Sequence, residues 1–363
     1  MLQQTQVATV IDYYHRFLAV YPNVRSLAAA EEPAVLRLWS GLGYYRRARQ
    51  LHAAAKQIVA HGGQFPKSLE GILSLPGIGR YTAGAIASFA YDQPAPIVEA
   101  NTQRLFSRLI QLEIDPRSRD GQTQLWSFAE SLVAAPIVAR LAGPRTKRPK
   151  QTFSPGRINQ AVMELGSQVC TPRDPDCPNC PLSRLCPTFS AGLQATLPLA
   201  PPKKVITELT HIALVIRKPS DPDQVLMRLN SKDEWWHGLW DLPRIDVTHS
   251  QVFQSAATLR RRDSSSSSSS SFSSSSSIAS LTPTDLDWLA AQFHAQHTLN
   301  CTIDSYQSSW KHAVTRYRIA LHAFAATLAP RLRLQPPLAW HSISAALDLP
   351  LTAPAKRLLS SLR

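Results

Sequence analysis

Leu75-Pro76-Gly77-Ile78-Gly79-Arg80-Tyr81-Thr82-Ala83-Gly84-Ala85 follows one helical segment and precedes another, with two glycines framing the connection. The spacing predicts a tight hairpin whose Gly77 and Gly79 backbone N–H groups point outward at the start of the next helix. The helix dipole favours an anion there, so the turn reads as a clamp for phosphate. Punctuation between two ordinary helices is the bland alternative, and the length of the string argues against it. Working outward, apolar positions recur at helical spacing from residue 7 to about residue 135, for example Val7, Val10, Ile11, Tyr14, Phe17 and Leu18. The first half of the chain is expected to be all helical.

The second half changes character. Leu197 to Lys204 carries three prolines and reads as a stiff linker. Beyond it, His211–Ile216 and Gln224–Leu229, joined across 219–223, predict a β-hairpin. Leu281–Phe293 predicts a short amphipathic helix, and Thr315–Phe324 alternates like a strand, so this half is expected to be α+β. Ser264–Ser277 is almost pure serine, broken by Phe272. Such a tract buries nothing that offsets its ordering entropy and is expected to be disordered. Pro144 to Lys150 is charged and proline-punctuated, and is expected to be an exposed loop.

Across 363 residues, lysine and arginine outnumber aspartate and glutamate by 39 to 25, so a polyanion such as nucleic acid is the natural partner. With 44% apolar residues the chain can build two domains with cores of their own, or three smaller ones. No apolar stretch approaches the ~20 residues that cross a bilayer, so a cytoplasmic protein without membrane contact is expected.

Cys170, Cys177, Cys180 and Cys186 stand in a C-x6-C-x2-C-x5-C run. Gaps this short hold no packed domain, so the four thiols converge on one centre. Zinc sites usually pair C-x2-C knuckles across a longer span, whereas four crowded thiolates without histidine suit a 4Fe-4S cluster. Zinc and inert thiols remain the alternatives. Cys301 lies apart in an apolar stretch and is expected to be a buried thiol.

Pro96-Ile97-Val98-Glu99-Ala100-Asn101-Thr102-Gln103-Arg104 places a carboxylate just after an apolar strip, at the start of a predicted helix. Taken alone, Glu99 would be a helix cap rather than a catalyst. The hairpin and the cysteine run on the same chain reverse that preference. Together they resemble the helix-hairpin-helix DNA glycosylases with an iron-sulfur cluster, and within them the A/G-specific adenine DNA glycosylases, the MutY family. Met1-Leu2-Gln3-Gln4-Thr5-Gln6-Val7, Gly41-Leu42-Gly43-Tyr44-Tyr45-Arg46-Arg47-Ala48-Arg49 and Asn159-Gln160-Ala161 are similar to that family's own strings.

The resemblance implies a multidomain protein. An all-α helix-hairpin-helix glycosylase region spans 1–190 with its iron-sulfur loop at 170–186, then a linker at 191–206, then a Nudix-like α+β domain at 207–363. It implies a monomer acting on double-stranded DNA, removing adenine opposite 8-oxoguanine or guanine after extruding it from the helix. Glu99, Asn101 and Tyr81 fall at the catalytic pocket. Leu2, Gln4, Thr5, Tyr44, Gly77, Gly79 and Arg80 fall at the DNA, although Tyr44 could equally be a packed core residue. Arg173 falls in a loop the family turns toward the DNA backbone, with Asp174 and Asp176 weakening that role. His312, Thr315 and Arg316 align with the strand tip that inspects 8-oxoguanine, where the family's F-S-H becomes Val314-Thr315-Arg316. A partly exposed strand end is the plain alternative there. Trp236 to Pro243 resembles the Nudix-like fold, without the glutamate-rich helix of the true hydrolases.

Tyr81 separates this chain from the related thymine-glycol enzyme with lyase activity, which needs a nucleophilic lysine at that place. Two departures matter. The family's general acid is a glutamate just upstream of the Met1–Val7 string, and the chain starts at Met1, which suggests a misplaced start or a truncated product, or a lesion-binding protein without catalysis. Glu99 stands where the family commonly has aspartate, and its extra methylene moves the carboxylate outward.

Overall fold

The helical spacing of the first half is expressed along its whole length. α1 (Val7–Val20), α2 (Val24–Ala28) and α3 (Glu32–Trp39) open the chain. Asn23 caps α2 by accepting from Ser26 N–H, which satisfies a donor the helix itself cannot. Phe17 meets Trp39 edge to face at 6.2 Å between ring centroids, closing α1 on α3. α4 (Arg46–Ala60) leads into α5 (Leu69–Leu73), α6 (Arg80–Tyr91), α7 (Ala100–Leu109), α8 (Arg119–Ala134), α9 (Pro155–Gln168) and the single turn α10 (Pro187–Ser190). This computed structural model describes residues 1–3, 5–134, 154–200, 205–250, 278, 281–329 and 334–362. Gln4, the Pro144–Lys150 loop, the end of the linker at 201–204 and the serine tract lie outside the described residues.

By packing, the chain forms two compact units, residues 50–203 and residues 1–49 together with 204–363. In the first, Leu105 and Phe106 of α7 bury against Leu125 and Ala129 of α8. Ile72 of α5 packs on Ala83 and Ala87 of α6. Asn159 of α9 is 2% exposed, and its Nδ2 donates to Ser88 Oγ (2.8 Å) and to Ala95 O (2.9 Å). That pair of bonds fixes the extended strip leading to Glu99.

In the second unit, β1 (Thr207–Lys218) and β2 (Asp221–Leu229) form the expected hairpin, with a connection shorter than the five residues foreseen. β3 (Trp240–Asp241) and β4 (Arg244–Asp246) are short; α11 (Pro283–His297), β5 (Cys301–Val314), β6 (Tyr317–Leu328), β7 (Leu338–Ser342), α12 (Ile343–Leu347) and α13 (Ala353–Ser361) complete it. The sheet runs β3-β2-β1-β6-β5, with β4 on β1 and β7 on β2. β1 and β6 are parallel, and the other pairs antiparallel.

Both faces are covered, which is why β1 reads as an unbroken apolar run rather than an alternation. Ile212, Leu214 and Ile216 pack with Leu289 and Phe293 of α11. Ala213 and Val215 pack with Ala355, Leu358 and Leu359 of α13. The strand expected from Thr315 begins instead at Tyr317, because Thr315 (φ +53°) and Arg316 make the two-residue turn between β5 and β6. Among the described residues no helix is long and apolar enough to cross a membrane.

Candidate active site and cysteine centre

The hairpin string folds as its glycines require. Gly77 has φ +79°, and a Cβ there would stand 2.5 Å from Gln50 Cβ. Gly79 is the N-cap of α6, and nothing lies within 4 Å of where its Cβ would be. The outward side of the turn is therefore open, with exposed backbone donors at a helix start. Arg80 leans sideways from it, 3.8 Å over the Trp126 ring and paired with Glu130 at 2.8 Å.

Glu99 is both a cap and a held carboxylate. It is the N-cap of α7, and its Oε1 accepts from Asn101 N–H (2.9 Å) and Thr102 N–H (3.0 Å). Oε2 takes no hydrogen bond among the described residues. Tyr81 faces it: burial first, and then the Glu99 charge, push the phenol above its ordinary value, so Tyr81 stays protonated. Asn101 Oδ1 accepts from Arg104 Nη2 (3.0 Å), and Arg104 also donates to Gly166 O (2.5 Å) and Cys170 O (2.7 Å). A Cβ on Gly166 would lie 2.8 Å from Asn101 O, so only glycine lets α9 approach the start of α7 this closely.

That chain of bonds leads to the cysteines. Cys170, Cys177, Cys180 and Cys186 line one cavity with Arg108, Leu105 and Phe189. All are free thiols. Burial, joined by the neighbouring sulfurs, holds Cys177 and Cys180 above the ordinary thiol value. Arg108, 3% exposed, donates from Nη1 to Cys170 Sγ (3.2 Å) and Thr171 O (2.9 Å), from Nη2 to Gln194 O (2.7 Å) and from Nε to Leu197 O (2.9 Å). Among the described residues no three His, Cys, Asp or Glu side chains are grouped closely enough to hold one metal ion. The four sulfurs thus line one cavity, with the buried Arg108 guanidinium against one of them.

In the other unit, Leu2 and Tyr44 are exposed at 58% and 53%, so Tyr44 is no core residue. Arg47 gathers them: it donates to Met1 O (2.8 Å), to Gln3 O, to Thr5 Oγ1 (3.2 Å) and to Leu42 O and Gly43 O (each 3.4 Å). His312 sits near the end of β5, and Thr315 and Arg316 are exposed on the turn beyond it. Cys301 is half-buried, and burial with Asp304 nearby pushes its thiol to about 11. Arg47, Arg104 and Arg108 were not singled out from the sequence. Arginines on amphipathic helices ordinarily mark a solvated face, and the one available signal was the i, i+4 spacing of Arg104 and Arg108 beside Leu105 and Phe106.

Residues 1–131 match the family of HhH-GPD superfamily base excision DNA repair proteins. This places residues 1–131 in that superfamily. The chain is similar to several adenine DNA glycosylases: one from Mus musculus is 40% identical over 230 residues, 61% of this chain and 41% of that protein. Another, from Buchnera aphidicola subsp. Schizaphis graminum, is 33% identical over 248 residues, 68% of this chain and 66% of that protein. The chain thus spans about two-fifths of the mouse relative's length. A solved thermostable thymine-DNA glycosylase aligns at TM-score 0.43 and 25% identity, over 52% of this chain and 80% of that chain.

Proposed function

We propose that this protein is a base-excision repair glycosylase that hydrolyses the N-glycosidic bond of adenine mispaired with 8-oxoguanine or guanine. The observation that carries the reading is the Glu99 carboxylate, fixed through one oxygen by two backbone N–H groups and left open at the other. In the reaction the bond between C1′ and the purine nitrogen breaks, and its electron pair leaves with adenine, which takes up a proton. Positive charge then spreads over C1′ and the ring oxygen of the sugar. Glu99 stands as the anion that steadies this charge, and water adds at C1′ and gives up a proton to leave an abasic site. Tyr81, protonated and facing Glu99, lines the pocket and cannot form a Schiff base, which supports hydrolysis without strand cleavage. Asn101 and Arg104 orient the start of α7.

In this reading residues 1–190 act as the glycosylase region, with Leu2, Gln4, Thr5 and Tyr44 opening the duplex and Gly77, Gly79 and Arg80 gripping phosphate. The Nudix-like unit at 207–363 reads the lesion through His312, Thr315 and Arg316, which can reach a base edge or a phosphate. Cys170, Cys177, Cys180 and Cys186 hold a 4Fe-4S cluster. When bound, such a cluster supplies a rigid cross-link for the loop, and hydrolysis asks nothing of its electrons. The protein acts as a monomer on double-stranded DNA.

The test is a single-turnover assay on a duplex holding adenine opposite 8-oxoguanine, with the 363-residue chain and with a glutamate-bearing extension ahead of Met1. Adenine release that disappears in Glu99→Gln supports the proposal. Tight, lesion-selective binding without release from either form would establish the lesion-binding alternative instead.

A further inference from the structure

One end of the sheet is finished differently from the rest. The face of β1 and β6 that carries Ala213, Val215, Leu321 and Ala323 is covered by α12 and α13. By the period of two, His211 on β1 and Tyr317 on β6 continue that face past the end of the cover. There an aromatic group takes over. Trp235 lies on Tyr317 at 5.0 Å between centroids and 41°, and over His211 at 6.4 Å and 24°. Trp236 meets Trp235 edge-on at 5.7 Å and meets His312 at 6.2 Å.

Trp236 has φ +58°, a left-handed conformation that a bulky residue keeps only where its surroundings hold it there. Arg244 lies 4.3 Å over the Trp236 ring and is paired with Asp241 at 2.5 Å. The structure thus spends strain here, yet leaves Trp235 42% exposed.

The two imidazoles beneath and beside this indole pair are uncharged at neutral pH. Burial and the nearby Arg244 pull His211 and His312 down to about 4. Asp246 is 3.9 Å from His211 Nε2, beyond hydrogen-bond reach, and no ring nitrogen of either histidine has a hydrogen-bond partner among the described residues. The cation sits instead at the rim: Arg316, on the turn before Tyr317, donates to Tyr317 Oη at 2.9 Å and lies 5.1 Å from its ring. An uncharged, rigidly backed indole face beside an arginine fits one chemistry well, a flat heteroaromatic ring carried on an anionic strand.

We propose that Trp235, backed by Tyr317 and His211 and flanked by Arg316, is a stacking platform for one unpaired nucleobase of bound DNA. The proposal rests on the reading that the chain binds DNA, and adds a residue outside the Val314–Arg316 segment. Stacking tolerates any base, so the platform contributes affinity for an unpaired base rather than discrimination of 8-oxoguanine from guanine.

The test is fluorescence anisotropy with a labelled single-stranded oligonucleotide and its fully paired duplex, at several salt concentrations. Trp235→Ala weakens single-strand binding about tenfold and duplex binding much less. Trp235→Phe, which keeps a π face, stays within about twofold of the unaltered chain. The dependence of log Kd on log salt is unchanged in Trp235→Ala, because no phosphate contact is lost, whereas Arg316→Ala lowers the slope by about one. Unaltered single-strand affinity in Trp235→Ala overturns the proposal alone, as does Trp235→Phe binding as weakly as Trp235→Ala. A changed oligomeric state in Trp235→Ala, seen by light scattering, would make the surface a protein interface and overturn it too. Failure of the unaltered chain to bind either DNA overturns the DNA reading and this inference with it.

Discussion

Glu99 and His312 are both half-buried polar side chains at the end of an element, and their surroundings differ in kind. Around Glu99 the helical unit satisfies its polar groups in sequence: Oε1 holds two N–H groups, Asn101 holds Arg104, Arg104 holds Cys170 O, and Arg108 reaches Cys170 Sγ. Around His312 the sheet unit leaves them open, with both imidazole nitrogens of His312 and of His211, and Nη1 of Arg244, lacking a hydrogen-bond partner among the described residues. An imidazole without partners in a half-dry site is tolerated only as the neutral form. The helical unit is organised to meet a charge, and the sheet unit to present rings.

The largest effect should come from breaking that organisation at its centre. Arg108→Met leaves several carbonyls and a thiol without their donor, and is expected to cost about 3–5 kcal/mol in urea unfolding and to lower the iron bound per chain. Unchanged stability would mean that Arg108 is incidental. Glu99→Gln keeps an oxygen for Asn101 and Thr102 N–H while removing the charge. Melting temperature should therefore hold, while the single-turnover rate of the glutamate-extended chain falls by about 10²–10³.

The sheet unit should answer to acid. His211, His312 and His322 are each held at about 4 against an ordinary 6.5, so between those values the unfolded chain binds protons that the folded unit refuses. Stability is fully present above about pH 6.5 and is lost as pH falls toward 4. Denaturant midpoints at pH 7.5 and 5 measure this, and equal midpoints would contradict it. A smaller contrast lies inside the phosphate turn. Gly77→Ala is strained at φ +79° and should cost about 1–2 kcal/mol, while Gly79→Ala meets no atom within 4 Å and should fold normally. Smallest of all, joint replacement of Thr315 and Arg316 should reduce the preference for 8-oxoguanine over guanine severalfold without moving the melting temperature.

Much of the architecture was legible along the chain, because it depends on local periodicity. The 3.6-residue spacing marked the stretch that holds α1 to α8 as helical, the glycine pair gave the turn before α6, and the hairpin of β1 and β2 showed in its two apolar runs. Strand edges were less legible. Thr315 looked like the start of a strand and is a turn residue, since a two-residue hairpin requires a left-handed conformation that no side chain announces.

The cysteine spacing by itself required one centre, and the string from Leu75 to Ala85 by itself required a tight, outward-facing turn; in both, short sequence separation leaves the backbone no other choice. Only the tertiary structure decided that Arg108 lies against Cys170, that Gly166 admits α9 to the start of α7, and that Trp235 is held out on Tyr317. These pairings each join residues more than sixty positions apart, and long-range contacts follow from which surfaces bury one another rather than from any local pattern.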